Sequence, residues 1–173
     1  MTRTAVFIAL LTVLQVISSM AGNQIITGTI VNTILVVCVM TSGLSSGLTL
    51  AAVSPFLAAF IGIGPHLALT PFIALGNVVL VLLWRLIGSS LGKKRLPGLV
   101  ASVVIAGGAK SIVLFLGIVK IAVPLLMNLD ESRADVISAM FSVPQLINAI
   151  LGGSIALIII VGYGRIIERV KND

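Results

Sequence analysis

The sequence predicts an all-α membrane protein, a single integral domain over residues 1–173 built as a bundle of six transmembrane helices with both termini cytoplasmic. Three observations carry this prediction. Of the 173 residues 58% are hydrophobic and only 9% are charged, whereas soluble domains run near a quarter charged. Six apolar runs, at about 4–20, 24–41, 47–63, 67–88, 97–127 and 136–163, are long enough to cross a hydrocarbon core of roughly 30 Å. Basic residues gather at alternate ends of those runs, as the positive-inside rule requires. The runs are continuous rather than short and alternating, which favours helices over a barrel.

The first run follows Arg3 and ends in "SSMAG" (18–22), a pattern that also resembles a secretory signal with a small-residue cleavage site. The span is expected to be retained, and its removal would leave the other loops on the same sides. Only "TSGLSSG" (41–47) separates the second and third spans, as either a tight turn or a re-entrant bend, and Pro55 is placed to kink the third. Arg85, Lys93, Lys94 and Arg95 surround the joint between spans four and five. Span five is too long for one perpendicular crossing, so it either tilts or bends at Gly107 and Gly108. "NLDESRAD" (128–135) holds three acids against one arginine and reads as external, whereas Arg165, Arg169 and Lys171 follow span six. Six crossings then put Arg3, the joint between spans four and five and the C-terminal basic residues on one, cytoplasmic side.

The net charge of +6 does not imply nucleic acid, because the basic residues flank apolar runs instead of forming a stripe interleaved with aromatics. Cys38 is the only cysteine and lies inside an apolar run, so no internal disulfide and no thiolate metal site is expected. The two halves share no convincing repeat, which disfavours an inverted-repeat transporter within one chain. "GLSSG" (43–47) matches the G-x-S-x-G pattern of a nucleophile elbow, but the single histidine, His66, is predicted on the outer side and Ser45 on the inner. No H-E-x-x-H, no carboxylate pair within a span and no P-loop occurs. The chain is therefore expected not to be an enzyme and to carry no cofactor of its own. Any ATP-driven transport would need another chain to supply the ATPase.

Polar residues within the spans then become the main functional signal, since such groups are costly in hydrocarbon and usually face a bundle interior or cavity. At about 1.5 Å per residue, Lys110 lies roughly 20 Å from the inner end of span five, and Lys120 comes near its outer rim. Asn77 lies about 15 Å down span four, Gln145 about 14 Å down span six, and Asn148 one turn deeper. Gln145 and Asn148 share a helix face, whereas Lys110 and Lys120 point roughly 80° apart on an ideal helix. No carboxylate in any span can pair with Lys110, which leaves an anion, water or carbonyl oxygens as partners. Lys120 either snorkels to outer headgroups or meets a ligand. Asn77, Gln145 and Asn148 either bond helix to helix or orient a ligand. His66 is either a loop residue or a ligand contact.

Three stretches resemble the S components, the substrate-binding subunits, of energy-coupling factor (ECF) vitamin transporters of prokaryotes. They are Ala5 and Ala9 in "AVFIA", "SPFLAAFIGIGPHLALTPFIALGN" (54–77) with its proline and glycine punctuation and closing G-N, and "FSVPQLINAILGG" (141–153). The resemblance spans nearly the whole chain. It implies a vitamin bound in the outer half of the bundle among Lys110, Lys120, Asn77, Gln145, Asn148 and His66, under a gating loop containing Asn23 and Gln24. It also implies docking through Ala5 and Ala9 on a transmembrane T component, toppling within a prokaryotic plasma membrane, and resetting by two partner ATPases that use ATP. The vitamin is expected to be anionic if a lysine meets its charge, with pantothenate, biotin and folates as examples. A small homo-oligomeric secondary transporter independent of ATPases is the alternative from another class. A structural or assembly protein is a third.

Overall fold

In hydrocarbon every backbone N–H and C=O must be satisfied within the chain, so apolar runs of this length fold as helices. The computed structural model describes residues 2–64, 66–90, 95–127 and 129–172, with side chains described except at 89, 90, 95 and 163–172. Its helices are α1 (Thr2–Ser19), α2 (Gln24–Ser42), α3 (Leu44–Ile61), α4 (Thr70–Ser90), α5 (Arg95–Leu114), α6 (Val123–Leu126), α7 (Glu131–Met140) and α8 (Val143–Asn172). A 3-10 turn, Leu67–Leu69, leads into α4, and a π-helical segment, Phe115–Ala122, joins α5 to α6. Six segments have the length and hydropathy to cross a membrane. Lys93, Lys94, Arg95, Arg165, Arg169 and Lys171, which carry much of the orientation argument, lie outside the described side chains.

Local chemistry explains the breaks. Asn23 caps α2, its side-chain oxygen accepting the Ile25 N–H at 2.9 Å. Between α2 and α3 Gly43 alone is non-helical, at φ 92°, so the joint at 41–47 is a tight turn. Pro55 sits inside an otherwise continuous α3.

α5 is continuous through Gly107 and Gly108, and the helical pattern changes at Phe115, where the chain widens into the π segment. Gly107 does allow close packing, since a Cβ there would lie 3.3 Å from that of Ala149, but Gly108 faces open space.

The sixth run, expected as one helix over 136–163, is two helices. Pro144 stands in the first turn of α8, with no N–H to give to the Met140 carbonyl and a ring that clashes with it. α7 therefore ends at Met140, and α8 restarts at Val143.

Packing is closest where side chains are smallest. α2 and α8 run side by side in the same direction. A Cβ on Gly152 would lie 2.6 Å from the Asn32 Cβ and 2.7 Å from the Thr29 carbonyl oxygen, so the two backbones nearly touch there. The Thr33 hydroxyl donates across the same contact to the Gly152 carbonyl at 3.2 Å. Gly152→Leu should therefore force the helices apart and destabilise the bundle by about 1–3 kcal/mol. A lowered thermal transition in detergent would register this.

Buried residues divide by level. Leu11, Leu35, Val39, Leu50, Leu80, Trp84, Leu99 and Ala156 form a solid core in the half that contains the 41–47 turn. At the other end a smaller cluster, including Leu69, Leu114, Ile118, Met127 and Phe141, packs only one flank. The remainder of that end is hollow. α1 is the least covered span, exposing Val6, Val13 and Ile17.

Candidate functional site

The hollow end encloses a cavity of about 340 Å³. Its walls come from the last turn of α1 (Gln15, Ser19), the Gly22–Gln24 loop, and the first half of α2 (Thr27, Gly28, Val31, Asn32). The second half of α3 (Ser54, Pro55, Ala58), α4 (Ile73, Asn77), α5 (Lys110, Leu114), the end of α7 and the start of α8 (Gln145, Asn148) complete them. The joints around this end are 20–23, 62–69 and 127–142, and the last of these includes the acidic stretch. By the charge rule it is the external end.

Lys110 is only 4% exposed. It is held by amides and not by a carboxylate: the ammonium donates to the side-chain oxygen of Asn32, and to that of Asn77 at 2.6 Å. α2 and α4 thus hold the lysine of α5 from two sides. An ammonium only donates, so both oxygens must face it and both NH2 groups must face elsewhere. Neither NH2 group has a protein partner, and the buried side chain of Asn148 has none at its nitrogen or its oxygen. The Ser54 hydroxyl is likewise buried and unpartnered.

Asn148 lies directly over Gly28. A Cβ on Gly28 would fall 2.3 Å from the Asn148 amide nitrogen, so the glycine gives that side chain its space. At the mouth the Met140 carbonyl, released from helical bonding by Pro144, accepts from the side-chain amides of both Gln24 and Gln145 at 3.3 Å. This ties the loop before α2 to the junction of α7 and α8.

Of the residues singled out in the sequence, Lys110, Asn77, Gln145, Asn148, Asn23 and Gln24 all line the cavity. Lys120 and His66 do not. Lys120 is exposed, with its ammonium 5.6 Å from the centroid of the Phe115 ring. A π turn takes more residues than an α turn, so the segment before Lys120 rotates it further from Lys110 than ideal helical geometry implies. His66 is exposed and caps the 3-10 turn, its Nδ1 accepting the Ala68 N–H at 3.4 Å. Ala5 near the opposite end of the bundle and Ala9 near the middle of α1 are exposed beside Val6. Neither is buried within the chain.

The residues missed from sequence are Asn32, Gln15 and Ser54. Asn32 was detectable: counted from the outer end of span two it lies about 12 Å deep, close to the level of Asn77. Ser54 and Gln15 carry no such signal, because serine is common in membrane helices and Gln15 lies near a helix end.

A family model described as ECF transporter, substrate-specific component, matches residues 1–163. The chain belongs to this family. No curated protein and no solved structure matches it. Members of the family are transport subunits and not enzymes. This ECF substrate-specific component is accordingly a multi-pass membrane protein, with its cavity in one half of the bundle and the exposed small-residue strip of α1 in the other.

Proposed function

We propose that this substrate-specific component captures a vitamin or similar micronutrient from outside a prokaryotic cell and delivers it inward by toppling against a T component, reset by two partner ATPases that consume ATP. The observation that carries the reading is a cluster of buried polar groups at the floor of a cavity that opens at the acidic, outer end. Hydrocarbon penalises such groups unless something uses them. Lys110, Asn32, Asn77, Gln145 and Asn148 would hold the solute, and Asn23 with Gln24 would close over it. Lys120 and His66, which lie outside the cavity, would take no part.

Copurification and vesicle uptake test the proposal together. The full chain expressed with its native membrane should bring down a T component and ATPases, and uptake should require them. Uptake in vesicles containing this chain alone would refute the proposal in favour of a self-sufficient carrier.

The tie at the mouth gives a kinetic prediction. Gln24→Ala removes one of the two amides on the Met140 carbonyl, a bond that contributes about 1 kcal/mol. Ligand dissociation should quicken by roughly 3- to 10-fold with little change in thermal stability, as stopped-flow release would record.

A further inference from the structure

The donors and acceptors around Lys110 do not balance. Its ammonium has three N–H groups and gives two of them to Asn32 and Asn77. Both asparagines spend their oxygens on that contact and keep a free NH2 group, and Asn148 adds a third. Against these donors the floor offers the Asn148 carbonyl oxygen and the Ser54 hydroxyl. No aspartate or glutamate lines the cavity, and Lys110 is its one charged side chain among the described residues.

We infer that the cavity takes a small organic acid, with its carboxylate set on the floor against the Lys110 ammonium and the NH2 groups of Asn32 and Asn77. This rests on the capture reading above and adds the class of ligand. Four lone-pair sites on a carboxylate match a cluster rich in N–H groups and poor in acceptors. One buried cation balances one negative charge. A phosphate monoester carries about −1.5 to −2 near neutral pH and would remain under-neutralised. A cationic ligand would meet a like charge with no carboxylate to offset it. The walls above are mostly aliphatic, Val31, Pro55, Ala58, Ile73 and Leu114, with Phe141 the one aromatic ring among the described residues. They suit a compact aliphatic or small-ring body. A volume of about 340 Å³ lies near the lower limit for small-molecule sites.

Matched pairs test this on the purified full chain in lipid nanodiscs: biotin with biotinamide, pantothenate with pantothenol, nicotinate with nicotinamide, and thiamine and riboflavin as cationic and neutral probes. Calorimetry should find one acid that binds and its neutral partner weaker by roughly 30-fold or more, the usual penalty for leaving a buried charge unpaired. Asn77→Asp places a carboxylate of the same shape beside Lys110. It should abolish acid binding while leaving the thermal transition of the unliganded protein as high or higher. Asn32→Asp repeats the test from α2 in case that variant does not fold.

A neutral partner that binds as well as its acid, or undiminished acid binding in a folded Asp variant, overturns the inference and leaves the capture function standing. Binding of thiamine or riboflavin but of no acid does the same. If no acid in the panel binds, the inference falls, and the capture reading is decided separately by the copurification and uptake test above.

Discussion

Lys110→Met should reduce ligand binding by roughly 30-fold or more and leave the unliganded protein within about 2 kcal/mol of its parent stability. Methionine keeps most of the length and volume of the lysine stem. It also removes an ammonium whose desolvation is only partly compensated by the two amide oxygens. Replacing a buried charge by an apolar group of similar shape is often neutral or stabilising, because the desolvation penalty disappears with the charge. Asn32 and Asn77 lose a shared donor, but each retains a donor and an acceptor with which to bond the other. If Lys110 served only to hold α2, α4 and α5 together, the result would be reversed, with a clear fall in the thermal transition and binding intact. Calorimetric binding and a melting curve on one preparation separate the two.

Ala5→Trp combined with Ala9→Trp should abolish uptake and leave ligand binding unchanged. The two alanines are one turn apart on the exposed face of α1, in the half of that helix that does not line the cavity. A strip this small lets another helix approach closely, and two indoles would hold it several ångströms away. Since neither alanine is buried within the chain, the bundle itself should tolerate the change. Uptake in cells and binding to the purified variant are the two measurements. Unchanged uptake at normal expression would remove α1 from the docking role.

The span pattern was legible because continuous apolar runs and the distribution of Lys and Arg are averages over many residues, insensitive to detail. The level of Lys110, Asn77, Gln145 and Asn148 was legible for a related reason, since depth follows from counting along a helix at a constant rise. Azimuth was not. The π segment at Phe115–Ala122 changes the residues per turn and sends Lys120 away from the cavity, and nothing in the apolar run "FLGIVKIA" announces it. The break of span six could have been read from Pro144. Its larger consequence, a Met140 carbonyl left for Gln24 and Gln145, needs a partner 116 positions away in the sequence. Depth alone marks Asn32, and its place beside Asn77 and Lys110 was not legible, because Gly28 and Gly152 bring α2 against α8 in a way that local pattern does not reveal.

The most direct test of the account is a high-resolution structure of the protein purified with its bound solute. The account predicts ligand density on the cavity floor, with an acceptor oxygen within about 3 Å of the Lys110 ammonium and within reach of the Asn32 and Asn77 NH2 groups. Ligand density elsewhere, with Lys110 still bonded to the two asparagines alone, would contradict it.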